Sequence, residues 1–90
     1  MRFTIDDLEA IFNEATENES KYIGIVYYLK SRRRYELEIV EQKDFKKRLG
    51  FIKSNFTKEL CHRKEEGKEI AKASHGSNLD AIKRTMFELF

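Results

Sequence analysis

The chain has no proline, no tryptophan and a single cysteine, Cys61. One cysteine excludes an intramolecular disulfide and fits a reducing, cytoplasmic setting. Zinc wants three or four ligands in paired spacings. Cys61, the adjacent His62 and the distant His75 supply no such pairing. A nucleophilic Cys–His pair must meet in space, and neighbours on a helix point apart. No apolar run approaches the roughly 20 residues of a spanning helix, so no membrane role is expected. The start, Met1-Arg2-Phe3-Thr4-Ile5-Asp6-Asp7, carries early acids and no apolar signal core. The glycine stretch Ser74-His75-Gly76-Ser77-Asn78 lacks the pattern of a phosphate loop. These absences leave no catalytic, cofactor-binding or metal-binding residue to assign, and an enzyme is not the expected reading.

Charge is abundant. Asp, Glu, Lys and Arg make up 38% of the 90 residues, against roughly 25% in an average globular chain. The net charge of +2 hides an asymmetry: residues 1–20 carry −5 and residues 21–90 carry +7. An acidic start and a basic remainder either complement each other internally or leave a basic face for an acidic partner. Hydrophobic residues, at 40%, suffice for one modest core. No linker, repeat or low-complexity tract divides the chain, so residues 1–90 are read as one domain.

The first element is a helix from Thr4 to about Glu17. Thr4 and Asp7 match a capping box, and Phe3 with Leu8 a hydrophobic staple. Ile5, Leu8, Ile11, Phe12 and Ala15 share one face, and Asn18-Glu19-Ser20 breaks the helix. Lys21 to Leu29 is a strand with Ile23, Ile25, Tyr27 and Leu29 on one face and Tyr22, Gly24, Val26 and Tyr28 on the other. Two apolar faces place it centrally. Tyr35 to Glu41 alternates, with Tyr35, Leu37 and Ile39 inward and Glu36 and Glu38 toward water. The short polar link between the two runs predicts a β-hairpin.

Lys43 to about Leu60 reads as a long helix, because Phe45, Leu49, Ile52, Phe56 and Leu60 recur three or four residues apart. Gly50 lies inside it. Residues 61–72 are the least legible. Glu66-Gly67 resembles a turn, Lys68 to Ser74 a third strand with poor alternation, and 75–78 a loop. Ser77 or Asn78 caps a last helix with Leu79, Ile82, Met86 and Leu89 as its stripe. The fold class is therefore α+β, in the order α-β-β-α-(β)-α, with helices packed on a small, mainly antiparallel sheet.

Three features can carry a partner. Arg32, Arg33 and Arg34 occupy the hairpin loop, and arginine forks match phosphate oxygens. With Lys46, Lys47 and Lys58 of the following helix they form a basic patch if loop and helix share a side; otherwise they are a solvated tip and an ordinary charged face. Phe51 falls on the outer side of that helix, and the functional reading has it stack on a base or insert in a partner groove. The alternative has Gly50 kink or end the helix and Phe51 turn inward, which its large area favours. Tyr22 and Tyr28 present aromatics on one sheet face, for base stacking or for cover by another helix; layer packing favours the cover. The expected role is a small non-enzymatic binding or regulatory protein acting through protein contacts, including self-association, of the kind a bacteriophage or mobile element carries. The second reading is a nucleic-acid-binding module using the Arg32–Arg34 loop and the basic helix 43–60.

Overall fold

The structure, a computed structural model, describes residues 3–65 and 67–87. The expectations for Glu66 and Leu89 lie outside that range. Helix α1 spans Ile5–Glu17, β1 Tyr22–Leu29, β2 Arg34–Glu41, α2 Phe45–Asn55, β3 Lys68–Gly76 and α3 Leu79–Phe87, with a 3-10 turn at Gln42–Asp44 before α2. The sheet order is β2-β1-β3 and both pairings are antiparallel. This is the expected α+β class with β1 central. Among the described residues, no helix is long and apolar enough to cross a membrane.

The start of α1 follows from its first residues. The Thr4 amide donates to the Asp7 carboxylate at 2.9 Å, and the Ile5 amide finds the Lys58 carbonyl at 2.9 Å. Two of the amides that a helix start leaves unpaired are thereby satisfied. Glu19 takes a positive φ of 53° and the Ser20 amide returns to the Ala15 carbonyl, which closes the helix.

Both faces of β1 are covered. α1 and α2 pack Leu8, Phe12, Phe45 and Ile52 against Ile23 and Ile25 in the main core. On the opposite face α3 sets Ile82 and Met86 against Val26, flanked by Tyr22, Leu37 and Ile39. The expected cover for Tyr22 is therefore α3. Gly24 makes the approach possible: a Cβ there would lie 2.7 Å from Cγ2 of Ile82. The Asn78 side chain caps α3 by accepting from the Ala81 amide at 3.1 Å.

Three expectations need correction. α2 ends at Asn55, not near Leu60. Phe56 turns extended and bridges to His62, and Leu60 reaches a positive φ of 62°. Phe56 and Leu60 are nonetheless buried, so a turn delivers to the core the same side chains that a helix would have. β3 runs on through His75 and Gly76, which were expected in a loop. Its alternation is masked by a register shift opposite Val26 and Tyr27, which lets Ile70 and Ala73, three apart, enter the same core. Finally, the inward residues Leu37 and Ile39 face α3, whereas Glu38 lies on the side of α2 and is half-buried rather than wet.

Candidate interaction groove

α2 follows β2 through the 3-10 turn and lies back along it. Arg48 clasps the Glu38 carboxylate, with Nε donating to Oε1 at 3.1 Å and Nη2 in contact with Oε2. The Tyr27 hydroxyl donates to the same Oε1 at 2.7 Å. Both acceptor oxygens of Glu38 thus meet donors, as a partly buried carboxylate requires. Burial pushes the Tyr27 phenol above its ordinary value near 10, and the Arg48 charge works against that rise. Phe56 flanks the Tyr27 ring at 6.2 Å and the Lys68 ammonium sits 5.0 Å from its centroid.

Phe51 rests on this cluster, its ring 5.2 Å from the Arg48 guanidinium. Helix α2 passes through Gly50 without interruption. Phe51 therefore does not turn into the core, and 51% of its surface is exposed. Beside it runs an open groove of about 640 Å³ between β2 and α2, lined by Ile39, Val40, Lys43, Lys47 and Phe51 among others. A second depression of about 480 Å³ shares Glu38, Arg48 and Phe51 with the first. Phe51 is therefore a rim common to both. Among the described residues β2 pairs with β1 alone, so its outer edge borders the groove.

The basic residues singled out from the sequence do not sit together. Arg32 and Arg33 are exposed at the hairpin tip, and Arg34 opens β2 with an ion pair to Glu36 at 3.2 Å. Lys46 and Lys47 are exposed on the first turns of α2, close to the Glu41 end of β2. An eight-residue strand separates the two groups by about 23 Å. Lys58 is exposed beyond α2, where its carbonyl meets the start of α1. Of the contact residues expected from the sequence, Lys47 and Phe51 alone line the groove.

The histidines and the cysteine are dispersed. The Cys61 thiol approaches Glu69 at 3.8 Å. His62 Nδ1 accepts from the Lys64 and Glu65 amides. His75, at the other end of β3, has Nδ1 2.8 Å from the buried Ser20 hydroxyl and Nε2 3.7 Å from Glu14. That contact ties the end of α1 to β3. Glu38 and Arg48 are the site residues that sequence reasoning missed. Their signal was faint: a glutamate in an alternating strand is ordinarily a solvent residue.

The chain matches no protein-family model, no curated protein and no solved structure.

Proposed function

We propose that this protein is a non-enzymatic binding or regulatory module that acts through protein contacts, with the β2–α2 groove as its contact surface. One observation carries the reading: Phe51 stands half exposed on a guanidinium that Glu38 holds in place. An aromatic ring beside a positioned arginine has the chemistry of an interface anchor. A helix-surface phenylalanine with no partner would only add apolar area to water. The adjoining edge of β2 offers backbone groups for strand addition, a common way to receive an extended segment.

The test compares the wild type with Phe51→Asp and Phe51→Leu in two assays. Sedimentation of the purified protein reports self-association, and retention on the immobilised protein reports partners from a cell extract. A second copy or a partner held by the wild type and by Phe51→Leu, and lost from Phe51→Asp, is the expected result. Equal retention by all three, or a monomer that retains nothing, overturns the proposal. Circular dichroism should be the same for the three proteins, because the substituted side chain lies outside the core.

A further inference from the structure

The sheet brings two basic turns to one end of the molecule. β1 and β2 close with Leu29 opposite Arg34, so the loop 30–33 projects beyond that pair. β3 begins at the same level, with Lys68 opposite Leu29. Residues 61–62 then bridge back along the outer side of β3: Cys61 pairs with Glu69, and the His62 amide donates to the Lys68 carbonyl at 2.8 Å. The turn after His62 therefore projects from the same end as the hairpin loop. The Lys30 amide, donating to the Gly67 carbonyl at 2.8 Å, ties the two together. Four strand positions at the usual spacing make an apex about 14 Å wide.

The apex is basic and free of apolar side chains. Arg32, Arg33 and Arg34 come from one tip, and Arg63, Lys64 and Lys68 from the other. Arg34 is paired with Glu36, and Lys68 with Glu65 at 3.6 Å. Among the described residues no ion pair engages Lys30, Arg32, Arg33, Arg63 or Lys64, and all five are exposed. Arg33 holds a positive φ of 49° at the loop, a place where glycine or asparagine is the usual choice. One residue back from the tip, Tyr28 and Tyr35 stand opposite each other with centroids 4.9 Å apart, and Tyr35 is 46% exposed.

The geometry points to this apex as a binding surface for the phosphate backbone of single-stranded nucleic acid, with the Tyr28–Tyr35 pair as a stacking platform. Arginine forks suit phosphate oxygens. Aromatic rings beside a basic track are the chemistry that single strands use. An anionic membrane is disfavoured, because neither tip offers an apolar side chain to insert. The surface uses neither Phe51 nor the β2–α2 groove, so it stands or falls independently of them. It also replaces the Arg-loop-plus-helix patch: the second half of the basic surface is Arg63 and Lys64, not Lys46 and Lys47.

Anisotropy of fluorescein-labelled oligo-dT, titrated with the full chain, tests this. Five phosphate contacts at a slope near 0.7 each predict affinity falling about a hundredfold between about 50 and 200 mM salt. Arg63→Ala with Lys64→Ala should weaken binding at low salt and reduce that slope by about 1.4. Arg33→Ala, on the other tip, should reduce it by about 0.7. Lys46→Ala with Lys47→Ala should change nothing. A duplex of the same oligo-dT with oligo-dA should bind more weakly. The proposal is overturned by no binding at low salt, by affinity indifferent to Arg63 and Lys64, or by equal loss in the α2 variant. Equal affinity for the duplex removes the single-strand assignment. Binding to phosphatidylserine vesicles without binding to oligo-dT reassigns the apex to membranes and also overturns it.

Discussion

Tyr27 shows how one buried polar group organises its surroundings. Its ring belongs to the main core, while its hydroxyl reaches the Glu38 carboxylate that Arg48 also grips. Desolvation disfavours the phenolate, so the folded pKa lies above the ordinary value near 10. The sign of the linkage follows. A raised pKa means that folding favours the protonated phenol, a stabilisation fully present below pH 10. It is lost as pH rises through the folded value. Arg48 pulls the pKa down, so Arg48→Met should move Tyr27 further up. Ultraviolet titration of the phenolate, with Tyr27→Phe as the blank, isolates this tyrosine from the other three. A downward move in Arg48→Met would show that the guanidinium does not act on Tyr27 in this way.

At the scale of elements, α2 shows what a spacing rule reads well and where it overreaches. Phe45, Leu49 and Ile52 define its inner face as their spacing predicts. Phe56 and Leu60 continue the spacing but not the helix, because burial specifies which side chains enter the core and not the backbone route that brings them there. Gly50 is the reverse case. Its lack of a side chain invited a kink, yet the helix runs through it and a Cβ there would meet nothing within 4 Å. Gly50→Ala should therefore stabilise the protein by about 0.5–1 kcal/mol, by relieving the backbone entropy that a helical glycine loses. Urea unfolding measures it; a loss of stability would mean that the helix needs glycine there for a reason outside its own backbone. β3 was obscured by its bulge, and the Glu38–Arg48 clasp by the ordinary look of charged residues in a strand and on a helix. The joining of Arg63 and Lys64 to the hairpin loop was hidden for another reason: it depends on the pairing of Cys61 and His62 with β3, which no local pattern announces.

The molecule as a whole is built unequally about β1. Among the described residues, the main core joins α1 and α2 to the sheet through thirteen buried residues, whereas the α3 side buries three, Val26, Ile82 and Met86. Local opening free energy scales with the apolar surface an element must expose. α3 should therefore open well below the free energy at which β1 opens, and hydrogen exchange under native conditions reads both. Amides of α3 are expected to exchange by local opening, while those of Ile23 and Ile25 exchange only near global unfolding. Gly24 supplies the lever. A methyl group at that position forces Ile82 to move, because its Cγ2 would lie 2.7 Å away. Overpacking of this kind costs about 1–3 kcal/mol. In Gly24→Ala that loss should fall first on α3, whose amides lose protection by more than those of α1. Equal loss across α1 and α3 would mean that the two sides of the sheet open together, and that β1 couples them too tightly for α3 to leave alone.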